Sequence, residues 1–405
     1  MQIGYEIAPL FDKALTGIPL YVESLLREYF TNPQEDEEWV LYGGQSAEAA
    51  QALLAERQIP ILPTVQMVPK PDRRLATQFP DVTKNPAIGW VTRKIDGRLI
   101  QQLDRAALAD ALATVPVFHH TSVLRFHPRP TNRHIVTIYD LTTRLYPDTH
   151  SRSNIADWEE VFAFAQRSAD LIIADSESAK NDVVEHLGIA AERIQAIPLG
   201  ARPLPTAFTE AEKQAILSKF TLTGKRFVLS VSSLDPRKNF PRLIEAFAEI
   251  CRMPEMQDVI LVISGARLLG TNTVEESIAA HGMADRVRLT GYITDAELCI
   301  LLKACDCFIY PSLYEGFGLP VLEAMTMGAP VITSNVSSMP EVAGDAGILI
   351  DPYSPKAITE SLAVVLSDSA KATQMRLRSL ERAKEFSWKR CAEAHRQAYR
   401  EVSGK

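Results

Sequence analysis

The chain is short of cationic excess, of long apolar stretches and of cysteine, and each shortage removes a class of function. Lysine and arginine number 43 against 50 aspartates and glutamates, a formal net charge of −7. The strong positive excess that nonspecific nucleic-acid binding needs is therefore missing. No run approaches the roughly 18 consecutive apolar residues of a membrane-spanning helix. The opening MQIGYEIAPLF has no basic stretch followed by a long apolar one, so the expectation is a soluble, cytoplasmic protein. Five cysteines, Cys251, Cys299, Cys305, Cys307 and Cys391, are an odd number in 405 residues, which suits reduced thiols better than a disulfide framework. Cys305 and Cys307 have a spacing that a metal site can use, but they lie inside the apolar run ACDCFIYP and are read as buried strand residues.

What is present is ordinary globular composition, 46% hydrophobic and 23% charged, in a length that argues for two domains. Apolar runs alternate with amphipathic stretches. VPVFHHT (115–121), HIVTIYDL (134–141) and ADLIIADS (169–176) read as strands of a parallel sheet buried on both faces. RFVLSVSSL (226–234), DVILVISGA (258–266), RVRLTGY (286–292), CDCFIYPS (305–312) and APVITSN (329–335) repeat that plan, with PRLIEAFAEICR and DAELCILLKA as intervening helices. IPLGARPLPTAF (197–208), with three prolines and one glycine, marks the connection between the halves. The fold class expected is α/β, two Rossmann-like doubly wound domains over residues 1–200 and 207–385 facing a central cleft. The amphipathic helix 388–402 is expected to pack back on the first domain.

The most informative stretch is SLYEGFGLPVLEAMTMGAP (312–330). It runs from a strand end through a turn into a helix opened by Pro320 and closed at Gly328. Gly316 and Gly318 let backbone N–H groups approach a ligand, and a helix start favours an anion such as a diphosphate. Glu315 and Glu323 would then accept hydrogen bonds from hydroxyl groups on either side of that anion. A nucleoside diphosphate sugar has that make-up. The dinucleotide fingerprint is a poorer fit, because Gly316-x-Gly318 continues without a third glycine.

In EGFGLPVLE, together with SSLDPRKNFPRLIEAF, RVRLTGYITDAEL, SSMPEVAGDAGILIDP and LTGIPLYVESLL, the chain resembles the retaining family-four glycosyltransferases of GT-B fold, among them bacterial enzymes that build O-antigen and other exported polysaccharides. The resemblance covers nearly the whole chain. It implies an acceptor-binding first domain and a second domain that binds the nucleotide sugar, with Glu315 at the donor sugar and Glu323 at the ribose. Lys238 matches the diphosphate lysine, with Arg237 beside it. Gly17 matches a glycine turn close to the diphosphate. Gly265, Tyr292, Gly316, Phe317, Gly318 and Leu319 complete the implied donor site. Many relatives carry an arginine where Ser232-Ser233 stand here, and Arg237 or Arg267 would have to compensate.

His119 and His120 end the strand VPVFHH and should face the cleft; one matches a family histidine near the acceptor and donor sugar, so both are candidates for catalysis and His120 for the acceptor. Asp140 is a further acceptor candidate, although Tyr139 departs from the usual His-Asp. Ser176 reads as a helix cap. RFHPRPTNRH (125–134) reads as a solvated loop, with contact to a lipid-linked acceptor or a membrane surface as the alternative.

The implied activity is retaining transfer of a hexose, glucose or mannose, from a UDP- or GDP-sugar to a saccharide or lipid-linked acceptor, without nucleic acid and with peripheral membrane contact at most. No Asp-x-Asp occurs, so no metal and no other cofactor is expected. A nucleotide-sugar 2-epimerase, or a noncatalytic binder of sugar nucleotides, would share the two-domain plan.

Overall fold

The structure, a computed structural model, describes residues 1–12, 17–44, 46–69, 108–124, 132–267 and 272–404. Thr16 of the glycine turn, and Arg125 and Arg129 of the basic segment, lie outside the described residues. Arg133, at the end of that segment, pairs with Asp170 at 2.8 Å.

Two parallel sheets form the frame. The first holds seven strands, β1 (Gln2–Glu6), β2 (Glu38–Gly44), β3 (Gln66–Pro69), β4 (Val117–His120), β5 (Arg133–Ile138), β6 (Leu171–Ala174) and β7 (Ile194–Ala196), in the order β3-β2-β1-β4-β5-β6-β7. The second holds six, β8 (Phe227–Val231), β9 (Ile260–Ser264), β10 (Val287–Gly291), β11 (Cys307–Tyr310), β12 (Val331–Ser334) and β13 (Ile348–Ile350), in the order β10-β9-β8-β11-β12-β13. Among the described residues every strand pairing is parallel, for example Tyr5↔His119 and Phe308↔Leu229. Strand order reverses beside β1 and beside β8, and a crevice opens at each reversal where the carboxyl ends diverge.

The eight strands read from apolar runs are present, shorter by one to three residues at each end except β5, which begins one residue early, at Arg133. β1, β2, β3, β7 and β13 carry no comparable signal. β7 and β13 are three residues each, and β2, EWVLYGG, ends in two glycines. Cys307 lies in β11 and Cys305 just before it, both fully buried. No described helix is long and apolar enough to cross a membrane.

The C-terminal helix, Trp388–Ser403, returns to the first lobe and packs on the helix Ile18–Thr31 and on β4. Its entry passes Gly200, where a Cβ would lie 2.3 Å from the Trp388 amide nitrogen, so the linker touches the helix only because a side chain is absent. A chain of buried hydrogen bonds then ties the helix to the sheet. The carbonyl of Cys391 can only accept, so His395 donates to it from Nδ1 at 2.7 Å and presents Nε2 as an acceptor. Tyr21 therefore donates to His395 at 2.6 Å and accepts from Thr137 at 3.0 Å. Thr137 in turn accepts from His119 Nε2 at 2.7 Å, His119 Nδ1 accepts from Tyr399 at 2.8 Å, and Tyr399 accepts from Tyr29 at 3.1 Å. Each group is a donor to one neighbour and an acceptor from the other.

The same helix carries Arg396, whose Nε donates to both oxygens of Glu37 at 2.9 and 3.1 Å and whose Nη2 donates to the carbonyls of Tyr29 and Asn32. The two side chains retain 7% and 1% of their exposure. Replacing Arg396 alone leaves that buried carboxylate only the more distant Arg400, at 3.7 Å. Arg396→Met is expected to lower unfolding free energy by about 3–5 kcal/mol in urea denaturation, with Arg396→Met/Glu37→Gln recovering most of it. A double variant as unstable as the single one would show that packing, not charge, holds the helix.

Candidate active site

A cavity of about 620 Å³ lies between the lobes, walled by the carboxyl ends of both sheets. The second lobe contributes Ser232, Ser233 and Lys238 after β8, Gly265 after β9, Tyr292 after β10 and Glu315 to Leu319 after β11; Glu323 follows one helical turn on. The first lobe contributes Gly17, Tyr139, Asp140, Thr143, His150, Trp158 and Asp175. Gly17 has φ 59° and caps the helix Ile18–Thr31 with no side chain. Tyr292 is 73% exposed at the mouth.

Lys238 is placed by a single 3-10 turn, Pro236–Lys238, which Asp235 caps by accepting from the Arg237 amide. Its Nζ donates to Glu315 Oε1 at 2.5 Å and lies 5.5 Å from the centroid of the Tyr310 ring. The same carboxylate oxygen accepts from Tyr310 at 2.9 Å and Ser312 at 2.6 Å. Burial alone would raise the Glu315 carboxyl, but Lys238, then Arg237 and the hydroxyl donors hold it below the ordinary carboxylate range. The helix Leu319–Thr326 starts at Gly318, which has φ 109° and gives no side-chain cap; Pro320 has no N–H and Val321 donates back to the Gly318 carbonyl at 3.0 Å, so the Leu319 amide is the one at this start without a partner inside the helix. A Cβ on Gly318 would sit 2.2 Å from Met339 Cε. Gly265 is equally constrained, its Cβ position being 1.7 Å from the Ser232 carbonyl oxygen.

Glu323, one turn further, is gripped by Arg202, with Nε to Oε1 at 3.1 Å and Nη2 to Oε2 at 3.3 Å. Arg202 also donates to Asp295 at 2.7 Å. Burial pushes the Glu323 carboxyl up and Arg202 opposes it. Arg202 lies in the interdomain connection and lines the cavity, although a linker arginine carries no periodic or motif signal by which to find it. Tyr310 and Ser312, which fix Glu315, were likewise legible only as strand residues.

Four expectations are corrected. His119 and His120 do not reach the cleft. β4 is a central strand, so its last residues still project into the layers packed on the two faces of the sheet. His119 belongs to the hydrogen-bond chain of the C-terminal helix. His120 lies on the opposite face, 3.1 Å from both the Tyr42 hydroxyl and His134 Nδ1. Burial, then neighbouring histidines, holds both well below the usual histidine range and therefore neutral. Arg237 turns from the cavity and donates to the Tyr314 carbonyl at 3.0 Å. Arg267 pairs with Glu275 at 2.6 Å on the surface. Neither takes the place left by Ser232-Ser233; among the described residues Arg202 is the arginine that lines the cavity.

The lobes meet at the glycine turn. A Cβ on Gly316 would lie 2.1 Å from the Tyr139 carbonyl oxygen, so any other residue would part them. Ser176, which caps its own helix at Ala179, also donates to the Gly316 carbonyl at 2.6 Å. Glu341 accepts from the amides of Glu177 and Ser178 at 2.8 and 2.6 Å, and Tyr314 donates to Asp182 at 2.7 Å. Asp140 lines the cavity while accepting from the Thr142 amide and hydroxyl. Tyr139 spends its hydroxyl on the Thr121 carbonyl and presents a ring. Among the described residues no group of three or more His, Cys, Asp or Glu side chains is arranged to hold a metal ion.

Comparison with known proteins agrees with this geometry. The family described as Glycosyl transferases group 1 matches residues 212–384. The O-antigen chain mannosyltransferase B of Escherichia coli is 31% identical over 273 residues, 67% of this chain and 71% of that protein. The serotype-specific mannosyltransferase WbdA of Escherichia coli is 30% identical over 223 residues, 54% of this chain but 27% of its own length. Among solved structures, Anabaena HepE in complex with UDP and glucose superposes with a TM-score of 0.70 at 18% identity, covering 99% of this chain and 100% of that one. WaaG, a glycosyltransferase involved in lipopolysaccharide biosynthesis, superposes with a TM-score of 0.62, also at 18% identity, covering 97% and 98%.

The Lys238–Glu315 pair has a pH signature. A carboxyl depressed on folding contributes stability that is fully present above its unfolded value, about 4.3, and is lost as pH falls through the lower folded value. Glu315→Gln is expected to cost about 3–5 kcal/mol at pH 7 because Lys238 loses its counter-charge. Urea denaturation should show that gap narrowing below about pH 4. A gap that stays constant down to pH 3 would count against an ionised pair.

Proposed function

The chain belongs to the group 1 glycosyltransferases and has their GT-B fold, and from that premise we propose that it is a retaining, metal-independent hexosyltransferase of polysaccharide biosynthesis. Mannose from GDP-mannose is the first reading of the donor, since the curated relatives named above are mannosyltransferases. Glucose from UDP-glucose is the second, since HepE was solved with UDP and glucose. The acceptor is a saccharide or a lipid-linked saccharide. The observation that carries the proposal is the order of groups along one cavity wall: Lys238 with Glu315, the uncapped helix start at Gly318, then Glu323.

In this reading the diphosphate lies over the Leu319 amide at the start of Leu319–Thr326 and beside Lys238, where the helix start and the ammonium offset its charge. Glu315 accepts from hydroxyls of the transferred sugar and Glu323 from those of the ribose. Tyr292 stands at the mouth, by the base. As the bond between the anomeric carbon and the phosphate oxygen breaks, its electron pair passes to the phosphate and the sugar gains oxocarbenium character. The acceptor oxygen bonds to the anomeric carbon on the same face, and its proton goes to the departing phosphate. Lys238 stabilises the charge that develops there, a contribution larger in the transition state than in the bound donor.

Release of nucleoside diphosphate is expected to require both donor and acceptor, to persist in EDTA, and to give a product with the anomeric configuration of the donor by NMR. Lys238→Ala should lower kcat roughly 100- to 1000-fold. Conversion of the donor to its 2-epimer without acceptor, or activity abolished by EDTA and restored by manganese, would overturn the reading.

A further inference from the structure

We propose that Arg202, in the connection between the lobes, is a positioning residue: it fixes the Glu323 carboxylate and, through that carboxylate, sets how strongly the site prefers a ribose to a deoxyribose. The inference deepens the transferase reading and rests on it for placing a ribose at Glu323.

The backbone at Arg202 is itself held. Trp388 Nε1 donates to the carbonyl of Ala201 at 3.0 Å, and Gly200 is pressed on the Trp388 backbone. From this fixed point the guanidinium divides its donors. Nε and Nη2 go to the two oxygens of Glu323, at 3.1 and 3.3 Å, and Nη1 goes to Asp295 at 2.7 Å, in the first turn of the helix Asp295–Ala304. All three nitrogens are thus engaged by carboxylates. A planar fork that meets both oxygens fixes the orientation of a carboxylate, which a single ammonium does not. Among the described residues no other group donates to Glu323. A carboxylate accepts about four hydrogen bonds, so the two taken by Arg202 leave acceptor capacity for the hydroxyls of a ligand in the cavity that both residues line.

A clamp that only tied the connection to the second lobe would not need this arrangement. Asp295, half exposed, could anchor Arg202 alone, whereas Glu323 is buried at the cost of its hydration. Burial pushes the Glu323 carboxyl up, Arg202 opposes it, and Asp295 adds to the rise. Without the guanidinium, burial and Asp295 would both drive the carboxyl towards the acid, which gives up an acceptor and is free to turn about its last bond. The arginine therefore keeps Glu323 an oriented acceptor. Its own nitrogens need not reach the nucleotide.

The test is calorimetry on the full chain with GDP or UDP and with the corresponding 2′,3′-dideoxy nucleotide. The wild type is expected to bind the ribonucleotide at least about tenfold more tightly, because the dideoxy form lacks the hydroxyls that bond a charged group. Arg202→Met should weaken the ribonucleotide roughly tenfold and bring the ratio of the two affinities close to one, whereas loss of a mere clamp would weaken both forms alike. Arg202→Lys keeps the charge without the fork and should recover part of the ratio. In turnover, the donor KM of Arg202→Met should rise while kcat stays within about threefold, since the ribose is remote from the bond that breaks. In Glu323→Gln, adding Arg202→Met should change the ratio no further, as two residues that act through one contact are not additive. A wild-type ratio in Arg202→Met would overturn the positioning role, and should that variant fail to fold, a wild-type ratio in Arg202→Lys would do the same. Losses that add in the double variant would overturn it by showing that Arg202 bonds the nucleotide directly. Equal binding of the two forms by the wild type would remove the ribose from Glu323, and this inference with it, while leaving the diphosphate at Lys238. Failure of every nucleotide to bind would sink the donor reading itself and everything that rests on it.

Discussion

A carboxylate in a largely dry cleft must be met by charge and by hydrogen-bond donors, and Glu315 is the group around which this structure satisfies that demand. Lys238 arrives from the loop after β8, Tyr310 and Ser312 from the end of β11 and the residues just beyond it, so the pair locks together the two strands that flank the reversal in the second sheet. The position of the glycine turn follows. Once Glu315 is anchored, Gly316 is pressed on the Tyr139 carbonyl and Gly318 against Met339, and neither place has room for a Cβ. The helix start and Glu323 are then carried into the cavity wall at fixed separation.

The two lobes use polar groups differently. In the second lobe they line the cleft and face one another across it. In the first, the largest polar assembly is internal: the chain from the Cys391 carbonyl to Tyr29 joins the C-terminal helix to the sheet, and its direction is set by one carbonyl that can only accept. His119 is spent in this assembly. The first-lobe residues that line the cleft are a different set, among them Thr143, His150 and Asp175 on segments that follow β5 and β6.

Much of the frame was legible because parallel strands buried on both faces read as unbroken apolar runs, and because turn chemistry marks where they end. HIVTIYDL and CDCFIYPS are such runs, and the eight strands of this kind lie where the pattern puts them. IQA and ILI, at the sheet edges, are too short to leave a pattern. The glycine turn was legible for another reason. Its residues are contiguous, so Glu315, Gly316, Gly318 and Glu323 share one local geometry that spacing alone describes.

Arg202, His119 and Asp175 show what spacing leaves open. The residue types and periods of the chain by themselves determined two parallel sheets, the turn at each strand end and the orientation of the helix that follows β11, since all are local consequences of backbone geometry and apolar patterning. Only the tertiary structure decided that the linker arginine grips Glu323 while Arg237 turns away, that the paired histidines enter the core instead of the cleft, and that burial pushes the Asp175 carboxyl up. Those outcomes depend on which distant segment brings a donor, an acceptor or a dry surface to the side chain, and that is a property of the packed molecule, not of neighbours along the chain.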